Sequence, residues 1–516
     1  MESATDLAHK TIKSSTWNLA AFAWPIIFSV FVTPIIVHRL HVQAYGVLVL
    51  VNTILSILAL MELGLGASLL KTVSEESIQD NFVALEPKIN AVLTLNFLVG
   101  IIGAVIMVIL GTAALSWFQI PASDLAQTRT VFFIGALIFF SNSLANTFLV
   151  IPQAMQRYDL TAKISIIGTA FGNLLAVGAV LLNYKLVTIL AIQLLQVIGM
   201  TISYVFFAKT LLPKLRWRLR FSWSGFLPVA HFGTFVFIKN ISTQALTYLD
   251  RIIVSAFLGP VAVSFYSLPG NVTIKTVGIA GSITDIFFPL TSQMSAAGDR
   301  TKINVIYKRV IRNILLISAA ATCAIIMFGR KILLYWLGPE FVANSIDILY
   351  LLAVTHFLLA WYMPVTNFLL GVGAVKLLAF SSLAMFVLDV LFLIGLLPHF
   401  QLIGAGWAYL LAVLPVPLII VFAERRYLQI SDNWRFYFKI ALKLIIVSVA
   451  YYILAHWFLV PLAVNVYALV FIGPASVLIY LLLYKLLGFM PSEDWLTFKG
   501  FASNIKNRIF PYGKSA

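Results

Sequence analysis

Apolar residues fall in about fourteen runs of roughly 20 residues or more between Trp17 and Gly488, separated by short polar connectors. Backbone groups facing hydrocarbon must bond within their own segment or close into a barrel, and runs of this length are helices rather than barrel strands. The pattern predicts spans at 16–37, 45–70, 90–112, 130–152, 163–183, 186–208, 226–256, 262–290, 310–329, 346–370, 376–397, 403–423, 438–459 and 465–487. The expected class is an all-α polytopic membrane protein. Residues 1–15 are polar and lead into a long first run without a small-residue cleavage site, so the reading is a retained first helix and no signal peptide.

Composition agrees with lipid as the solvent. The chain is 61% hydrophobic and 10% charged with a mean hydropathy of +0.98, against about 25% charged residues in soluble domains. A net charge of +16 would suggest nucleic acid in a soluble protein, but its distribution argues otherwise. With both termini on one side, 27 of the 35 basic residues lie on that side, 5 lie opposite and 3 lie within spans. That is a positive-inside asymmetry: both ends are expected in the cytoplasm, the charge belongs to the membrane surface, and no nucleic acid partner is implied. Cys323 is the only cysteine, which excludes an intramolecular disulfide, a zinc cluster and a thiol redox pair. His231, His356 and His456 fall on different spans and make no metal signature.

The longest basic connector, 209–225, separates an N-terminal lobe at 1–208 from a C-terminal lobe at 226–423; two further spans and a tail occupy 424–516. Landmarks recur between the lobes: Leu40-His41 before Tyr45 matches Leu258-Gly259 before Tyr266, and Lys163 matches Lys376. In the tail, Trp495, Phe498, Phe501 and Ile505 among Lys499, Lys506 and Arg508 read either as a helix lying on the inner leaflet or as an unstructured basic tail.

Charged residues inside spans cost roughly 2.5–3.5 kcal/mol each at mid-helix, so they face a bundle interior or a wet cavity. Lys239 and Lys275 both fall near mid-depth by count, and a lysine stem of about 6 Å does not reach the headgroups from there. Lys239, Thr243 and Asp250 share one face of the seventh span; Asn271, Lys275 and Ser282 share one face of the eighth. Two central ammonium groups would suit a phosphate or pyrophosphate, with an ion pair between helices as the alternative. Asp389 is either a coupling site for a proton or cation or a salt-bridge partner of one of those lysines. Glu62 and Asp285 sit nearer the cytoplasmic ends as gate or interfacial contacts, and Asp250 with Arg251 lies nearer the outer end as a helix pairing or an outer gate. Asn18, Pro25, Ser29 and Thr33 form a narrower stripe in the first span, and Gly64 and Gly66 permit close packing in the second.

Tyr45-Gly46 through Glu62-Leu63-Gly64-Leu65-Gly66-Ala67 to Lys71, Asp250-Arg251-Ile252-Ile253 through Phe257-Leu258-Gly259 to Tyr266, Trp336-Leu337-Gly338-Pro339-Glu340-Phe341 and Gly404-Ala405-Gly406-Trp407-Ala408 occur in an order that resembles the polysaccharide repeat-unit (O-antigen/exopolysaccharide) flippases of the multidrug/oligosaccharidyl-lipid/polysaccharide exporter superfamily. Glu62 stands where that family usually has Asp, Lys71 where Arg is usual, and Ser264 where Gly is common. The resemblance implies two pseudo-symmetric six-helix lobes around a central cationic cavity plus two C-terminal helices, rocking between inward-open and outward-open states in a bacterial cytoplasmic membrane. It also implies a lipid-linked oligosaccharide as substrate, membrane lipids as surroundings, and polysaccharide polymerase and export machinery as partners.

The leading expectation is a flippase for polyprenyl-pyrophosphate-linked oligosaccharides, with Lys239 and Lys275 holding the pyrophosphate. A cation-coupled drug exporter is the alternative, although two central lysines would repel cationic drugs. An enzyme on the same carrier would need a sizeable outer loop, and the longest, around Ser116–Arg129 and Arg330–Ser345, are about 15 residues each. No repeated filter-like segment suggests a channel. No cofactor is implied. Gly513-Lys514-Ser515 imitates the end of a phosphate loop but position 508 is Arg, so the drive would come from an ion gradient or from consumption of the product.

Overall fold

The computed structural model describes residues 32–62, 66, 69–70, 73, 82–113, 115–155, 157–213, 215–223, 234–285, 287–296, 299–430 and 433–491. The first-span residues Asn18, Pro25 and Ser29, Gly64, His231 and the tail from Trp495 lie outside them, as do the side chains of Glu62, Lys239 and Thr243. Every regular element described is helical, and 11 helices are long and apolar enough to cross a membrane. In chain order they are α1 (Val32–Met61), α2 (Phe82–Ala113), α3 (Leu125–Ala154), α4 (Tyr158–Leu181), α5 (Leu186–Leu211), α6 (Thr234–Thr273), α7 (Lys275–Thr284), α8 (Phe287–Ala296), α9 (Arg300–Leu337), α10 (Pro339–Gly371), α11 (Val375–Val413), α12 (Val416–Ala423), α13 (Asn433–Leu454) and α14 (Val466–Leu486), of which α6 with α7, and α11 with α12, belong to continuous apolar stretches. Large apolar side chains such as Ile102, Phe171, Leu195, Phe206 and Phe471 stand exposed along them. Apolar surface on that scale suits lipid and would drive aggregation in water. The chain is a multi-pass membrane protein.

Some helices meet without a loop. α6 is two helices joined at Gly259 (φ 80°, ψ 175°), α11 is two joined at Gln401 (φ 49°, ψ −138°), and α9 meets α10 at Gly338 (φ 102°, ψ 174°). Positive φ with ψ near ±180° is nearly closed to residues carrying a Cβ, which accounts for the two glycines. Each corner reverses the chain. Asp250 and Tyr266 face each other across Gly259, a Cβ at Gly329 would meet Leu349 across Gly338, and one at Gly404 would lie 2.6 Å from the Leu396 carbonyl oxygen across Gln401. The expected outer loop at Arg330–Ser345 is therefore corrected: it is the end of α9 and the start of α10, where Pro339 supplies the fixed φ of a first helical residue and Glu340 an acid in the first turn.

Gln401 holds a glycine-like conformation with an exposed side chain. Gln401→Gly is expected to stabilise the protein by about 1 kcal/mol, the lower end of what such strain costs. A thermal unfolding midpoint unchanged or lowered in detergent would contradict this.

Contacts divide the chain into two compact units, 1–269 with 375–413 and 270–374 with 414–516. In the first, α2, α3 and α5 pack around Leu85, Ile89, Val92, Phe148, Ile151 and Tyr204. Some buried polar groups there bond across helices: Asn96 Nδ2 donates to Thr147 Oγ1 at 2.8 Å, and Ser143 Oγ donates to the Asn96 carbonyl at 2.7 Å. In the second, α9 packs on α10, and the buried Glu424 carboxylate accepts from the Tyr307 hydroxyl of α9 at 2.7 Å and from the Tyr437 hydroxyl of α13. Lys331 donates to the carbonyls of Val460 and Ala463 at 2.6 and 2.8 Å. A buried acid and a buried lysine stem thus serve as joints between helices, and the lone Cys323 is another, donating to Ser448 Oγ at 3.4 Å.

Candidate functional site

The ionisable residues within the spans separate into two groups. In the first unit, the hairpin turning at Gly259 carries Asp250 and Tyr266 on its two arms, and the hairpin turning at Gln401 carries Asp389 and Tyr409. At 1.5 Å per residue, Asp250 lies about 13 Å along the helix from its corner and Asp389 about 18 Å from its own, so the hairpins bring the two carboxyls to similar depth. They lie within Coulombic reach of each other, 3% and 1% exposed.

Asp250 Oδ1 accepts the Arg251 backbone N–H at 2.7 Å, and the Tyr266 hydroxyl lies beside the same carboxylate but off the line of a good hydrogen bond. Asp389 Oδ1 has no hydrogen-bond partner among the described residues. Tyr409 is buried within reach of both carboxyls, and the Arg251 guanidinium, 5.7 Å from the Tyr248 ring centre, acts on Asp250, Tyr45 and Tyr409. Two adjacent buried carboxylates repel each other and shed water at a cost. Among the described side chains, which do not include that of Lys239, Asp389 forms no salt bridge to a lysine, and Asp250, Tyr266 and Tyr409 lie within electrostatic reach of it.

The second group lies in the second unit. Lys275 opens α7 with its side chain exposed, and no hydrogen bond or ion pair holds its ammonium among the described residues. Asn271 is half-buried; Ser282 is exposed and returns its hydroxyl to the Ile279 carbonyl at 2.9 Å. Ile279 and Ile283 are exposed between them, so the open face is mixed rather than a continuous polar stripe. Beneath it, Asn367 Nδ2 of α10 bridges Thr284 Oγ1 and Asp285 Oδ1 at 3.0 and 3.2 Å, which makes Asp285 a helix-pairing contact. His356 is a buried packing histidine whose Nδ1 lies 2.9 Å from Thr273 Oγ1. Lys239 and Thr243 are on α6, but their side chains are outside the described set, and Glu62 ends a short 3₁₀ turn under the same limit.

Tyr409 and the Glu424 joint are absent from the sequence reading. Tyr409 had one visible signal: it follows Gly404-Ala405-Gly406-Trp407-Ala408, small residues that let the arm approach its hairpin partner closely.

With this geometry established, the chain can be placed among known proteins. A family profile described as polysaccharide biosynthesis protein matches residues 35–345. The chain belongs to that family. It is 22% identical over 432 residues to a putative O-antigen transporter of Shigella flexneri, covering 82% of this chain and 99% of that protein. It is 25% identical over 336 residues to the uncharacterized membrane protein EpsK of Bacillus subtilis (strain 168), covering 63% of this chain and 65% of EpsK. Its fold resembles the lipid II flippase MurJ in an inward closed conformation, with TM-score 0.69, 13% identity, and 92% of this chain and 99% of that one covered. It also resembles an inward-facing multidrug resistance MATE transporter of the MOP superfamily, with TM-score 0.65, 12% identity, and 80% and 99% covered.

Proposed function

We propose that the chain is a flippase that moves polyprenyl-pyrophosphate-linked oligosaccharide repeat units from the cytoplasmic to the outer leaflet by alternating access, for the assembly of a cell-surface polysaccharide. The observation that carries this reading is the family match together with a relative named as an O-antigen transporter that aligns along nearly its whole length. The exposed Lys275, unpaired among the described residues, supports it, since an ammonium is a point-charge ligand for a phosphate and a poor lining for a cationic drug. Lys239 is proposed as the second cation, with Thr243, Asn271 and Ser282 as hydroxyl and amide contacts to sugar or phosphate.

Counting Gly259, Gln401 and the positive-φ His41 as reversals adds three crossings to the 11 and gives fourteen. Topologically this corresponds to two groups of six helices plus two more, with both ends in the cytoplasm. Asp250 and Asp389 are proposed as the coupling site, alternately taking up and releasing a proton or monovalent cation, with Arg251 setting the charge balance. No cofactor is needed. A polysaccharide polymerase and export machinery would consume the product on the far side.

The test is reconstitution of the purified chain in vesicles holding a fluorescent lipid-linked oligosaccharide in both leaflets. Protein-dependent access of an outside quencher to the inner-leaflet pool is expected. No acceleration over protein-free vesicles would overturn the reading. The fold likeness to MATE transporters makes the drug-exporter alternative worth a direct check, and it predicts greater drug susceptibility in a deletion strain.

A further inference from the structure

Between α5 and α6 the chain runs without regular structure from Leu215 to Ser222, held at Arg216–Arg218 and bent at Leu219, where the Arg220 N–H donates to the Arg218 carbonyl at 3.0 Å. Asn90 of α2, 5% exposed, uses both ends of its side-chain amide on this segment: Nδ2 donates to the Arg216 carbonyl at 2.9 Å and Oδ1 accepts from the Arg218 N–H at 3.0 Å. The amide thus takes the place of a neighbouring strand. Between those two residues, Trp217 turns inward against Phe148, ring centres 5.2 Å apart, and Leu215 joins the same core. Arg216 and Arg218, on either side of the inward Trp217, point away from that core, and Arg216, Arg218 and Arg220 are all exposed. None of the three guanidinium groups has an ion pair or hydrogen bond among the described residues. Farther on, Phe221 and Trp223 stack edge to face at 5.2 Å, both exposed.

A row of free cations is ordinarily a solvated face. Two features set this one apart: a buried side chain committed to holding the segment in place beside three exposed arginines, and an exposed aromatic pair of the kind that settles at a membrane-water boundary. We propose that residues 215–223 form a strap that binds the phosphate headgroups of anionic phospholipids in the leaflet on the basic side of the protein. Separate phosphates in a leaflet can each take one guanidinium fork, and soluble pyrophosphate offered as a competitor distinguishes lipid headgroups from substrate capture.

The lone cysteine makes the test simple. Cys323→Ser with Leu219→Cys places one environment-sensitive dye between Arg218 and Arg220, read in nanodiscs of phosphatidylcholine with increasing phosphatidylglycerol. The expected result is a blue shift that grows with phosphatidylglycerol and weakens with salt. Adding Arg216→Gln, Arg218→Gln and Arg220→Gln should abolish the phosphatidylglycerol-dependent shift even in pure phosphatidylglycerol, since each arginine contributes about fivefold in affinity. Arg218→Gln alone, which leaves the clamp intact, should weaken the apparent affinity about fivefold. A dye response equal in both lipids, one unchanged by the substitutions, or one reversed by millimolar inorganic pyrophosphate would overturn the proposal. Because no transport is measured, the outcome does not depend on the flippase reading.

Discussion

Glutamine at both Lys239 and Lys275 is expected to bring surface polysaccharide down to the level of a strain lacking the protein, while the amount of protein in the membrane stays the same. The reason is charge rather than packing. Glutamine keeps most of the stem's volume and a hydrogen-bonding end but loses the positive charge. Hydrogen bonds to charged groups contribute about 1.5–3 kcal/mol each, so two lost together amount to about 3–6 kcal/mol, a hundredfold or more in rate if the contacts act in the rate-limiting state. Lys275→Arg should retain part of the function, because the charge survives while the point geometry does not. Full export by the double variant, at normal membrane levels, would remove the anion-binding role of both lysines.

Valine at Gly46 is expected to be the most damaging single substitution in the fold. A Cβ there would lie 1.9 Å from the Pro260 carbonyl oxygen, a backbone atom held just past the Gly259 corner. The same contact is fixed from the other side by Ser264 Oγ, which donates to the Val42 carbonyl at 2.8 Å. Overpacking commonly costs about 1–3 kcal/mol when side chains can yield; here both surfaces are main chain, and about 3 kcal/mol or more is expected. The measurement is the fraction of protein surviving detergent extraction and heating. Gly46→Ala should fail in the same direction, and an unfolding midpoint like that of the natural chain for either variant would contradict the contact.

The landmarks read as a repeat, Leu40-His41 and Leu258-Gly259, have a spatial meaning the offsets alone did not carry. Both His41 and Gly259 adopt positive φ, and the helices that follow them touch at Gly46 and Pro260. The helical class and most span positions were legible because burial in lipid imposes long apolar runs. Gly338 was not recognised as a corner, because the polar residues on either side of it, Lys331 and Glu340, suggested a loop when they belong to helix ends. The neighbour of Asp389 could not be named from sequence: the carboxyl within electrostatic reach of it belongs to another hairpin, 139 positions away in sequence. The strap was seen only as a basic connector, since nothing in the sequence ties Asn90 to residues more than 120 positions downstream.

Gly259, Gly338 and Gln401 each turn one helix straight into the next without an intervening loop. Corners a single residue long leave almost no continuous exposed main chain for a protease to enter, so limited proteolysis is expected to spare all three.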